Sequence, residues 1–242
     1  MKKVLIIFPL LLMALAAQSQ NDLRFGFHLS PTLTRLSTDN SRINPNGANL
    51  GLKLGMIGEY NFRENYSIST GIGFHFNAGG TLLYEDVLDT LSIWREADIP
   101  GSNLYPGGTN FKYSLQYVEI PFGLKLRTRE FGYLRYFLEP QIALGIRTQA
   151  RGNIKNATGV DPEEKFNISS AVNLFNLSWG LGAGIEYGVS DNTALVAGLA
   201  FQSGFADVSR NKNTQIIDSG RSREDDSKAK VTAFILRLGV MF

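Results

Sequence analysis

The chain has 242 residues, with 24 Lys and Arg against 22 Asp and Glu, 25 glycines, 16 Phe, 9 Tyr, 2 Trp, 2 His and no cysteine. This length buries a sizeable core as one large domain or two small ones, and the near-balanced charge argues against a nucleic-acid partner. Without cysteine there is no disulfide framework, thiolate metal site, cysteine nucleophile or lipoprotein acyl anchor, and a mean hydropathy near zero excludes only a bundle of apolar membrane helices.

Residues 1–19 read as a cleavable secretory signal: Lys2 and Lys3, an apolar stretch from Val4 to Leu15, then Ala16-Ala17-Gln18-Ser19 with cleavage expected after Ser19. The apolar stretch is too short to span a bilayer as a helix. Its removal takes two lysines and no acid, so residues 20–242 carry 22 basic and 22 acidic side chains.

Residues 20–242 show no sustained helical period. Instead they alternate with period two, in runs bounded by Gly, Asn, Asp and Ser. The first run sets Leu23, Phe25, Phe27 and Leu29 against Arg24, Gly26, His28 and Ser30. The second sets Leu50, Leu52, Leu54, Met56 and Tyr60 against Gly51, Lys53, Gly55 and Glu59. In the third, Tyr66 to Phe76 alternate with Ser67, Ser69, Gly71, Gly73, His75 and Asn77. The fourth places Val118, Ile120, Phe122, Leu124 and Leu126 opposite Tyr117, Glu119, Gly123 and Lys125, while Phe111, Tyr113 and Leu115 have the other parity. A bulge or register break near Tyr117 is therefore expected. The fifth opposes Leu134, Tyr136, Leu138, Ile142 and Leu144 to Arg135, Glu139, Gln141, Gly145 and Arg147. The sixth opposes Leu177, Trp179, Leu181, Ala183 and Ile185 to Ser178, Gly180, Gly182, Gly184 and Glu186. The seventh has Leu195, Ala197, Leu199 and Phe201 on one face, and the last has Phe234, Leu236, Leu238, Val240 and Phe242 against Arg237 and Gly239.

Tight turns near 63–65, 128–132 and 190–192 alternate with long polar connections near 35–48, 79–110, 148–173 and 206–229. That rhythm predicts an all-β fold: an eight-stranded antiparallel up-and-down transmembrane β-barrel over residues 20–242, with both termini and the short turns periplasmic. Three features favour a membrane barrel over a soluble lipocalin-like one. Glycines crowd the polar face, aromatics such as Tyr60, Phe62, Tyr66 and Tyr187 collect near strand ends, and the alternating last strand stops at Phe242, like a barrel-assembly signal. The polar face then sends Arg24, Lys53, Glu59, Glu119, Lys125, Arg135, Glu139, Arg147, Glu186 and Arg237 into the lumen, where an ion-paired network is expected because an unpaired buried charge is costly. Eight strands leave room for side chains and not for an aqueous channel.

The segment Leu115-Gln116-Tyr117-Val118-Glu119-Ile120-Pro121-Phe122-Gly123-Leu124-Lys125 resembles the "YLEIPLLLK"-type strand of the PorT-like outer-membrane β-barrel family of Bacteroidetes. The stretches Gly182-Ala183-Gly184-Ile185-Glu186-Tyr187 and Gly51-Leu52-Lys53-Leu54-Gly55 support the resemblance, which runs over essentially the whole chain after the signal. Val118 and Gly123 depart from the family pattern without threatening the fold. The resemblance implies an outer-membrane barrel and, through the founding member, a role in type IX secretion.

Residues that could carry chemistry have plainer readings. His28 and Ser30 resemble the His/Ser portion of lipid A deacylases, yet both fall on the luminal face, where polar filling is expected. His75 reads as a luminal hydrogen-bonding residue, and two isolated histidines make no metal site. Glu85, Asp86, Asp89 and Asp98 match no calcium-loop spacing, and Arg221 to Asp226 read as a solvated loop tip. The Asn156 and Asn167 sequons read as chance, and Gly79-Gly80 and Gly107-Gly108 precede no helix that would cradle phosphate. The expectation is a non-enzymatic outer-membrane barrel without cofactor. Its expected partners are outer-membrane lipids and lipopolysaccharide, the barrel-assembly machinery and secretion-system envelope proteins. A barrel enzyme acting on lipid A or peptides and a soluble periplasmic binding barrel are the alternatives.

Overall fold

Period-two alternation becomes strand here because successive side chains point to opposite faces, so one face can be apolar and the other polar. The computed structural model describes residues 23–242 apart from 87–89, 95–96, 98, 100–103, 211–213, 219–220 and 225–226. The expected signal 1–19 lies outside the described residues, as do Asp89, Asp98, Asp225 and Asp226.

In chain order the strands are β1 (Leu23–Thr38), β2 (Ile43–Arg63), β3 (Tyr66–Tyr84), β4 (Thr90–Ser92), β5 (Leu104–Pro106), β6 (Asn110–Arg127), β7 (Leu134–Lys155), β8 (Phe166–Asn167), β9 (Phe175–Ser190), β10 (Thr193–Gly204), β11 (Gln215–Asp218), β12 (Arg221–Glu224) and β13 (Ala229–Met241). Eight of them, β1, β2, β3, β6, β7, β9, β10 and β13, pair antiparallel in that order. β13 returns to β1 through pairs such as Thr32 with Ile235, which closes the ring and leaves it no free edge.

Apolar side chains stay exposed round the outside of this ring, among them Leu50, Phe74, Phe122, Ile142, Trp179, Leu199 and Phe234. A band of that extent suits lipid rather than water. Among the described residues no helix is long and apolar enough to cross a membrane.

The strands run further than the sequence pattern suggests, up to 22 residues in β7 and 21 in β2. The connection expected at 35–48 is consequently not a long loop: β1 and β2 extend through most of it and leave residues 39–42 as the turn. The register break expected near Tyr117 is present, but its extra residues lie on the neighbours. Gln116 pairs with Gln149 and Tyr117 with Arg147, so Thr148 is the additional residue on β7. On β3 the step from His75–Tyr117 to Ala78–Leu115 leaves Phe76 and Asn77 opposite Gln116, with Asn77 at φ 56°. β6 itself continues straight, so Phe111, Tyr113, Leu115 and Tyr117 all stay inside.

Those inward aromatics belong to a second core, beyond the lipid-facing band at the end that carries the long connections. Leu36, Ile43, Leu82, Leu91, Trp94, Tyr105, Phe111, Leu115, Ile154, Ile168, Val208 and Ile216 are among its buried members. Part of it is a four-stranded sheet, β12-β11-β4-β5, made wholly from the connections 85–109 and 205–228. Trp94 anchors this cap, standing edge-on to Phe111 and Tyr113 and donating its indole N–H to the Tyr113 hydroxyl at 3.1 Å. Burial pushes the Tyr105 hydroxyl pKa above its ordinary value. The molecule thus has a polar interior inside the ring and an apolar interior above it.

Candidate functional site: a charged lumen beneath an apolar cap

The luminal charges are stacked in tiers, each built by facing strands. Nearest the tight turns, Lys125 Nζ lies 2.6 Å from both Glu59 Oε1 and Glu186 Oε1. Arg127 joins the same two carboxylates, donating through Nε to Glu186 at 3.1 Å and through Nη2 to Glu59. Arg24 completes the tier at 3.1 Å from Glu186 and 3.8 Å from Glu59. Lys125 also stands 4.5 Å over the Phe137 ring.

The next tier joins β3, β7 and β13. Arg237 donates to Glu139 and to Gln141 Oε1, and Ser69 donates to Glu139. Glycine makes this tier possible: a side-chain carbon on Gly123 would meet Glu139 Oε1 at 2.7 Å, and one on Gly182 would meet the Arg237 guanidinium at 2.7 Å.

Above it, Lys53 Nζ donates to Glu119 Oε2 and to Gln202 Oε1, both at 2.5 Å, and Gln202 passes the chain to Ser178. His75 links Glu119 through Nδ1 at 3.1 Å to the Thr32 hydroxyl through Nε2 at 3.3 Å. Charges this deeply buried are tolerated only because each is bonded to an opposite charge and its remaining polar atoms find partners.

The structure therefore brings together Arg24, Lys53, Glu59, Glu119, Lys125, Glu139, Glu186 and Arg237. It places the two other expected network members apart. Arg135 sits at the rim, where its half-exposed guanidinium pairs with Glu130 at 2.7 Å. Among the described residues Arg147 makes no ion pair with a luminal carboxylate, and its Nε is buried without a partner. Arg127 belongs to the network and was absent from the expected set. It shares parity with Glu119 and Lys125, so carrying the alternation two residues further along β6 finds it.

Two spaces adjoin the tiers. A pocket of about 100 Å³ reaches into mid-lumen, where His28, Ser30, Lys53, Glu119, Glu139 and Arg237 line it. A vestibule of about 1010 Å³ opens at the tight-turn end, bordered by Arg24, Arg63, Glu64, Arg127, Arg129, Glu130, Arg135 and Asp191. His28 Nδ1 lies 3.3 Å from Ser30 Oγ on the inner face, as a nucleophile–base pair would, but inside a wall of strand. Asp86 pairs with Arg42 at 3.4 Å, and the Asn167 side chain accepts from the backbone of Ser169. Among the described residues no group of three His, Cys, Asp or Glu is placed to hold a metal ion.

Several solved outer-membrane proteins align with most of the chain. Neisserial surface protein A is 13% identical, with 90% of this chain and 95% of that chain covered at a TM-score of 0.46. Ail, the attachment invasion locus protein of Yersinia pestis, is 14% identical, covering 91% and 98% at 0.38. The outer membrane protease OmpT from Escherichia coli is 11% identical, covering 92% and 96% at 0.39. No curated protein matches the sequence. The family model described as outer membrane protein beta-barrel domain matches residues 16–237, nearly the whole chain, and with the closed eight-strand ring this shows that the protein belongs to the outer membrane protein beta-barrel domain family.

Proposed function

We propose that the protein is a non-enzymatic integral outer-membrane barrel whose task is to hold a folded cap at the cell surface and present it to envelope partners. The observation that carries this reading is the division of the interior. The lumen is filled by ion-paired side chains, and the apolar core lies beyond the lipid-facing band, in the connections. A filled lumen suits a scaffold better than a pore. A cap with its own buried tryptophan and its own sheet suits a defined binding surface better than a set of solvated loops. In this reading the tight turns and both termini face the periplasm and the cap faces outward. The resemblance of the Tyr117–Lys125 strand to the PorT-like family extends it to envelope assembly or type IX secretion, with outer-membrane lipids and the assembly machinery as the necessary partners.

Three measurements test the proposal. Purified protein in planar bilayers is expected to give no conductance steps, and regular open steps would overturn the scaffold reading. A deletion strain compared with its parent is expected to show an altered secreted proteome; unaltered export would remove the secretion role and leave the scaffold. Cysteine labelling fixes orientation, since the native chain has none: Ser222→Cys is expected to react on intact cells and Asn192→Cys only after the outer membrane is opened.

A further inference from the structure

The inner wall changes character where the ion-paired lumen meets the apolar cap, and polar groups collect at that seam. Tyr117 on β6 is the register partner of Arg147 on β7, and Asn176 on β9 lies opposite Gly145. A side-chain carbon on Gly145 would meet Tyr117 Cδ1 at 3.3 Å and Asn176 Cβ at 3.5 Å, so these two side chains converge over the glycine, two residues along β7 from Arg147. Tyr117 and Asn176 are only 1% and 6% exposed. The Tyr117 hydroxyl, the Arg147 Nε and the Asn176 carboxamide oxygen are all buried with no hydrogen-bond partner.

The charges that face the Tyr117 hydroxyl are Arg147 and Glu119. Glu119 is already bonded to Lys53 and His75, which leaves Arg147 without a carboxylate partner among the described residues. The five other luminal cations, Arg24, Lys53, Lys125, Arg127 and Arg237, share the four carboxylates. Arg147 is half-buried with its Nε enclosed, so water can meet part of its need and an anion at the seam would meet the rest. The donors available are a guanidinium fork, a phenol and a carboxamide that can turn its NH₂ inward, which together match a small anion.

We propose that Tyr117, Arg147 and Asn176 form a binding site for a small monovalent anion, a chloride or a carboxylate of formate size, at the seam between lumen and cap. The anion would pair with the luminal arginine that has no carboxylate partner among the described residues, and would join the charged tiers to the apolar cap.

The test uses the folded full-length protein in detergent, followed by the temperature at which its heat-modifiable gel band is lost. Sodium chloride or sodium formate is raised at constant ionic strength held with sodium morpholinoethanesulfonate, whose anion is too bulky for the seam. The wild type is expected to gain about 2–4 °C saturably with at least one of the two anions. Arg147→Gln is expected to lose that gain. The isosteric Tyr117→Phe, which keeps the packing, is expected to need roughly ten-fold more anion. Arg147→Lys, which keeps the charge, is expected to retain part of the response. No saturable gain in the wild type, or an equal gain in folded Arg147→Gln, would overturn the site while leaving the scaffold reading untouched. If Arg147→Gln does not fold, an undiminished response in Tyr117→Phe does the same.

Discussion

Trp94 and Gly152 compete for one volume: a side-chain carbon on Gly152 would lie 2.5 Å from the indole of Trp94. The indole is 2% exposed, and its residue holds φ 55°, a region that bulky residues rarely adopt without compensation. The compensation here is burial, two edge-on aromatic contacts and the bond to Tyr113.

Gly152→Ala is therefore expected to destabilise the cap by about 1–3 kcal/mol through overpacking, and Gly152→Val to expel the indole. Tryptophan emission reports it directly. Trp94 should shift to the red and become accessible to a water-soluble quencher, against the steady signal of Trp179, which already lies exposed on the outer wall. Emission unchanged from the wild type would show that the cap does not depend on this contact.

Glu119→Ala strands Lys53 and is expected to cost about 3–5 kcal/mol, read as the urea midpoint of the heat-modifiable band. Replacing both partners by apolar residues, Lys53→Met with Glu119→Leu, is expected to recover most of that loss, because no charge is left buried alone. A double variant as unstable as the single one would mean that the His75 and Gln202 bonds, not the ion pair, carry the tier.

Arg127 and Arg135 make a matched contrast. Arg127→Ala removes a fully enclosed guanidinium from Glu59 and Glu186, with an expected loss of about 3–5 kcal/mol. Arg135→Ala removes a half-exposed pair with Glu130, with an expected loss of about 0–1 kcal/mol. Equal losses in the same urea series would contradict the placement of the network.

Leu199, midway along β10 and 68% exposed, tests which surface meets lipid. Leu199→Arg is expected to cost about 2–4 kcal/mol in liposomes if it lies near the bilayer midplane. Leu104→Arg, at an exposed position on the cap sheet, is expected to change stability by about 0.5 kcal/mol or less. Similar costs at both positions would argue that the outer band is not lipid-facing.

The eight ring strands are legible in the sequence because each alternates over more than one pleat and because glycine and charge mark one face. Parity alone also places Arg24, Lys53, Glu59, Glu119, Lys125, Glu139, Glu186 and Arg237 inside. It cannot say how far along the barrel axis a side chain sits, and so Arg135, at the rim, is indistinguishable from Lys125. Arg127 is hidden for a related reason: it falls where the strand pattern merges into turn residues. The cap is not legible at all. Leu91, Trp94, Tyr105 and Ile216 sit in short apolar clusters within polar connections, and only the pairing of segments more than a hundred residues apart, such as Leu91 with Ile216, brings them together. The same holds for the straight course of β6, since the extra residues that absorb the register change lie on β3 and β7.

The pairing of β4 with β11 has a mechanical side. β4 belongs to the connection between β3 and β6, and β11 to the connection between β10 and β13. In a ring of eight those two gaps stand diametrically opposite each other. The β4–β11 ladder is therefore a crossbar over the mouth, and like a spoke it resists flattening of the circle into an ellipse. Where lateral pressure in a bilayer would otherwise squeeze a small barrel out of round, this one is braced from above.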